Sequence, residues 1–223
     1  MDFTTVKVAG RKAVALLDEY RSQYRQTGQY PFLIGDAKEL EAIKELANIN
    51  EASPAETIQA SLEIDITAWL DERRGDNERY EFDEELEGEW PGEVADKGAI
   101  GLHKDVISGK FKPEVYLGLV TIEEPWHLPA ILKYGAWNEC PEPADHCALH
   151  RHWQEQYGAE ITGMSFDVIE CKVTNPPEDR EAAMALAWEQ YWYCPDIVDQ
   201  GCESVAHLAA TLLNSPYWYF WWD

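Results

Sequence analysis

The chain has 223 residues, and 42 Asp plus Glu against 18 Lys plus Arg give it a formal charge of −24 at pH 7. That charge repels phosphate backbones and anionic lipid, so neither nucleic acid nor a membrane is expected as a partner. With 10 Trp, 11 Tyr and 45% hydrophobic residues, the chain carries enough apolar surface for a packed core and is no disordered acidic polymer.

Met1 to Val6 lacks the basic stretch and apolar run of a secretory signal. No segment approaches the ~20 apolar residues of a membrane span. Residues 11–25 place Ala13, Leu16, Leu17, Tyr20 and Tyr24 at three- and four-residue steps, the stripe of an amphipathic helix that Thr27-Gly28 ends. Tyr30 to Ile34 reads as a short buried strand. Asp36, with Glu39 three residues on, then caps a helix running to about Asn48. Ser53-Pro54-Ala55-Glu56 repeats this grammar, and Ile58, Leu62, Ile66 and Leu70 predict one continuous third helix.

From Asp71 to Asp96 acidic residues dominate and aliphatics are few, so residues 71–112 are expected to be an acidic linker or long loop. It would divide a helical N-terminal region, residues 1–70, from a C-terminal domain, residues 113–223. The charge is not confined to this stretch: acidic residues outnumber basic ones 24 to 13 before residue 111, and 18 to 5 after it.

The second half opens with a β-branched run, Val115 to Ile122, that predicts a central strand, with residues 128–134 expected to pair beside it. Ala144 to Tyr157 reads as a helix stopped by Gly158. Ile161 to Val173 predicts two strands before Asn175-Pro176-Pro177. Residues 178–193 predict a strong helix with acidic residues in its first turn, and Ser204 caps another ending near Asn214. Tyr217 to Trp222 is expected to be a terminal strand with one face sealing the core and the other open to a ligand. The fold class is therefore α+β, with a mixed or antiparallel sheet packed by helices.

Five stretches in this half occur in a fixed order: Trp126-His127-Leu128-Pro129-Ala130, Gly135-Ala136-Trp137-Asn138-Glu139-Cys140-Pro141, Tyr157-Gly158-Ala159-Glu160, Tyr193-Cys194-Pro195-Asp196-Ile197-Val198-Asp199-Gln200-Gly201 and Trp218-Tyr219-Phe220-Trp221-Trp222-Asp223. Over about residues 113–223 the chain thereby resembles the bacterial family catalogued as domain of unknown function 4253. Gly28-Gln29-Tyr30-Pro31 and Ile34-Gly35-Asp36 also look like the leader region of many members. The resemblance implies a bacterial or phage setting and carries over no catalytic residue. Where it leads one to expect two glycines before the Trp-Asn pair, this chain has Gly135-Ala136.

Cys140, His146, Cys147, His150 and His152 crowd thirteen positions with residue types that ligate zinc. Cys140, His146, His150 and His152 are thus metal candidates, yet no paired Cys-x-x-Cys accompanies them, and a polar helix face with Cys147 turned inward explains the same pattern. Cys194 follows the strongest helix, but its acidic neighbours oppose thiolate formation. No phosphate-binding glycine loop, nucleophile elbow or dinucleotide fingerprint occurs, so no cofactor is expected.

Trp137, Asn138, Cys140, Tyr193, Cys194, Asp196, Asp199, Gln200, Trp222 and Asp223 are the candidates for binding or interaction. The leading expectation is a non-enzymatic, cytoplasmic, acidic binding or immunity-type protein that captures a basic protein. The alternative is an enzyme or small-ligand protein with its site where the Trp-Asn-x-Cys and Tyr-Cys-Pro-Asp loops meet.

Overall fold

In the computed structural model, residues 3–46, 51–76, 83–92 and 98–223 are described. Strand β1, Phe3–Val8, is followed by helix α1, Gly10–Thr27, and strand β2, Gln29–Gly35. Gly28 ends α1 at φ 68°, in the left-handed region that glycine enters without penalty, and its N–H caps the Tyr24 carbonyl. Helices α2 (Ala37–Leu46), α3 (Pro54–Ser61), α4 (Ile66–Asp76) and α5 (Asp83–Glu87) come next. Strand β3, Val115–Thr121, leads to a 3-10 turn at Pro125–His127 and to helices α6 (Leu128–Leu132) and α7 (Pro143–Tyr157). Strands β4 (Glu160–Met164) and β5 (Val168–Lys172) precede helix α8 (Arg180–Tyr193), a π-helical turn at Ile197–Cys202, helix α9 (Val205–Leu212) and strand β6 (Tyr217–Trp221).

The six strands form one mixed sheet in the order β1-β3-β2-β4-β5-β6, antiparallel throughout except between β2 and β4. The fold is α+β. Helices cover both faces. On one, α1 and residues Ile100 and Leu102 bury Leu33, Leu117 and Val168. On the other, α2 and α6 to α9 enclose a larger core that includes Phe32, Trp153, Ile169, Tyr193 and Phe220. Side chains alternate accordingly along β6: Trp218 and Phe220 are buried, while Tyr219 is exposed.

Several expectations change in three dimensions. The strand at residues 3–8 escapes notice because its exposed Thr4, Thr5 and Lys7 dilute the apolar pattern, as befits a sheet edge. The predicted third helix is two helices, broken at residues 62–65. Residues 128–134 are not a strand: Pro129 occupies the first turn of α6, where its missing N–H costs nothing. The expected acidic linker is in part structured, since α4 extends to Asp76, Ile100 and Leu102 are buried against the sheet, and His103 is buried as well. Residues 77–82 and 93–97 of that stretch lie outside the described residues. The division expected at 71–112 falls between β2 and β3, which are hydrogen-bonded neighbours.

Candidate functional site

The loop between α6 and α7 is held in a conformation that few residues adopt. Gly135, Ala136 and Asn138 have φ of 110°, 69° and 45°. Glycine is required at 135, where a Cβ would stand 2.0 Å from the Pro141 carbonyl oxygen. Ala136 tolerates the left-handed region at a cost that glycine avoids. The Ala136 N–H donates to the Pro141 carbonyl at 2.9 Å and the Cys140 N–H to Trp137 at 2.8 Å, which closes the loop on itself.

This loop meets the end of β6 and the π-helical turn. Asn138 Nδ2 donates to the main-chain oxygen of Asp223 at 2.7 Å, and the Asp223 N–H donates to Asp196 Oδ2 at 3.0 Å. Gln200 Nε2 binds the other Asp196 oxygen at 2.8 Å. Four predicted residues, Asn138, Asp196, Gln200 and Asp223, therefore form one polar clasp. Around it Glu139, Glu142, Asp199 and Glu203 are exposed, and Arg73 approaches Glu139 at 3.8 Å. Trp137 stacks on Phe166 with ring centroids 5.0 Å apart. Asp199 faces the Tyr191 hydroxyl at 3.5 Å.

Beneath the clasp runs a buried polar chain. Cys140 Sγ lies 3.4 Å from His146 Nε2, His146 Nδ1 lies 2.5 Å from the Tyr193 hydroxyl, His150 Nε2 lies 3.0 Å from that hydroxyl, and His150 Nδ1 lies 3.8 Å from Cys171 Sγ. His146 and His150, four residues apart on α7, present successive turns to Tyr193 at the end of α8. The chain is satisfied with both imidazoles neutral, because each ring then offers one donor and one acceptor and the hydroxyl donates to one ring while accepting from the other. Burial favours this state: it holds His146 well below the usual imidazole range and pulls His150 down to about 3. Trp222 closes the chain from above, 5.4 Å from His146 and 5.2 Å from Tyr193 by ring centroids.

This geometry corrects two readings of α7 and α8. The helix face carrying His146 and His150 is not exposed: both are buried, as is Cys147. The residues after Tyr193 form a π-helical turn rather than an open loop. The metal candidates divide. His152 turns away toward Glu189, at 3.6 Å, and Gln156, while Tyr193 stands between His146 and His150. Among the described residues no group of three or more His, Cys, Asp or Glu is arranged to hold a metal ion.

Neither cysteine of the predicted site is poised as a nucleophile. Burial pushes the Cys140 and Cys194 thiols well up, and Cys194 Sγ donates to the Trp221 carbonyl at 3.0 Å. All five cysteines are free.

The sequence reading missed Cys171, which ends the buried chain, and Glu170. The Glu170 carboxyl is 1% exposed and accepts from the Gly101 and Leu102 N–H groups at 2.5 and 3.1 Å. Burial raises it to about 7. A charged residue inside the apolar run Val168 to Val173 was the available signal.

Residues 116–223 match the family described as Domain of unknown function (DUF4253). This region belongs to that family. The DUF4253 match begins at the second residue of β3, so β1 and β2 lie outside it although β2 sits between β3 and β4 in the sheet. Neither the curated proteins nor the solved structures include a significant match. No helix among the described residues is long and apolar enough to cross a membrane.

Proposed function

We propose that this protein is a non-enzymatic binding protein of inhibitor or immunity type, acting in a bacterial cytoplasm, that captures a basic protein through its acidic surface. The observation that carries this reading is the clasp. It fixes Asp196 and Asp223 beside the exposed Glu139, Asp199 and Glu203, while the side-chain amide nitrogens of Asn138 and Gln200 donate within it. Carboxylates on ordered backbone cost less entropy to engage than carboxylates on a mobile loop, so a cationic partner meets a preorganised anionic surface. The net charge of −24 adds long-range attraction that salt screens.

The alternative reading, an enzyme or small-ligand protein, draws support from the convergence of the two predicted loops. Against it stand the raised thiols and the neutral, internally satisfied histidines. Affinity capture from the source cell across a salt series separates the two. A basic protein should be retained at low salt and released as ionic strength rises; no retained protein, or retention indifferent to salt, would end the binding reading.

A further inference from the structure

Strand β6 forms one edge of the sheet, and its register identifies which backbone groups face outward. The Val173 N–H donates to the Pro216 carbonyl and the Trp222 N–H to Asp167, so residues 216, 218, 220 and 222 direct their main-chain groups toward β5. Residues 217, 219 and 221 must direct theirs away from it. Two of these are occupied: the Tyr217 carbonyl accepts from Ser215 Oγ at 2.9 Å, and the Trp221 carbonyl accepts from Cys194 Sγ. At Tyr219 neither the N–H nor the C=O has a partner among the described residues.

Tyr219 lines a cleft of about 540 Å3. Its lining includes Leu208, Leu212, Trp218, Ile100, Gly101 and Val106. Exposed apolar side chains collect at this place. Val106 is 92% exposed, the adjacent Ile107 is 96% exposed, and Tyr219 itself is 43% exposed. An apolar cleft along a strand edge with one unsatisfied donor and acceptor is complementary to a peptide backbone flanked by apolar side chains. Charges of both signs lie around the cleft: Lys104 and Asp105 line it, the Asp105 N–H donates to the Lys110 carbonyl, Glu203 follows the lining residue Cys202, and the Asp167 charge acts on the Tyr219 hydroxyl.

We propose that this cleft is a strand-addition site that takes an extended apolar segment of a protein partner, flanked by Lys or Arg, through paired hydrogen bonds to Tyr219. It deepens the function proposed above and rests on that reading for the basic character of the partner. Ser215 and Cys194 bound the open edge on either side, which limits the pairing to the residue facing Tyr219 and makes the apolar walls the main source of affinity.

The test uses a pool of acetylated, amidated pentapeptides with Lys at both ends and Val, Ile, Leu, Thr or Ala at the three central positions, titrated against the full chain. Binding members should lose affinity about tenfold or more when their central amides are N-methylated. Tyr219→Pro, which removes only an outward-facing N–H from an edge strand, should cause a similar loss, while Tyr219→Phe stays within about twofold. A pool without binders, or binders indifferent to N-methylation, overturns the proposal even if Tyr219→Pro fails to fold. If the pool fails while salt-sensitive capture of a basic protein persists, the cleft is wrong and the acidic-surface reading stands. If both fail, both are wrong.

Discussion

Asn138 and Asp223, 85 residues apart in the chain, are joined by a 2.7 Å hydrogen bond from a side-chain amide to a main-chain oxygen. Asn138 sits at φ 45°, where asparagine and glycine are the residues best tolerated. Asn138→Gly therefore removes the bond without adding backbone strain. It should lower stability by about 1 kcal/mol, the usual net value of one hydrogen bond, and should speed amide exchange in residues 217–223. Unchanged exchange there would show that the clasp does not hold the end of β6.

Ala136 at φ 69° carries a Cβ in the left-handed region. Ala136→Gly relieves about 1–2 kcal/mol of strain and returns about 0.4–1 kcal/mol of it through the more flexible unfolded chain. The expected result is a modest rise in the denaturation midpoint with an unchanged denaturant slope.

The Tyr193 hydroxyl is shared by His146 and His150. Tyr193→Phe keeps the ring contacts and leaves one nitrogen of each buried imidazole without that partner. A loss of about 2–4 kcal/mol in equilibrium unfolding is expected, since each unsatisfied buried group costs about 1–3 kcal/mol. A loss under about 1 kcal/mol would mean that the chain of polar groups contributes little.

Two buried groups give opposite dependences on pH. His150 is depressed to about 3 from 6.5, so between those values the unfolded chain binds more protons than the folded one. Its contribution is complete above about 6.5 and is lost as pH falls toward 3. Glu170 is raised to about 7 from 4.5, so the folded chain binds more protons in that window, and stability from this group is complete below about 4.5 and lost as pH rises through 7. Glu170→Gln should accordingly gain on the order of 2–3 kcal/mol relative to the parent between pH 4 and pH 8, whereas His150→Asn should flatten the acid limb. Unfolding curves at a series of pH values check both signs.

The family region alone lacks β2, and without it β3 and β4 have no neighbour between them. A fragment of residues 113–223 should show no cooperative thermal transition, while the whole chain does. A sharp transition in the fragment would show that β3 re-pairs with β4 directly.

Much of the local structure was legible in the residues. Ser53-Pro54-Ala55-Glu56 forms the capping box that its spacing announced, Ser204 caps its helix, and the alternation along Tyr217 to Trp221 gives a strand with a buried and an exposed face. These features depend on neighbours within a few positions, and the sequence by itself determined them. The candidate residues Asn138, Asp196, Gln200 and Asp223 were legible only as separate motifs. Their contact depends on where β6 ends relative to the α6–α7 loop, which no local pattern encodes.

The same holds for the insertion of β2 between β3 and β4, for the union of Cys140, His146, Tyr193, His150 and Cys171, and for the open edge at Tyr219. Strand order and side-chain convergence are set by how separate apolar faces bury one another across the sheet. That balance is a property of the packed chain, and only the tertiary structure decided it.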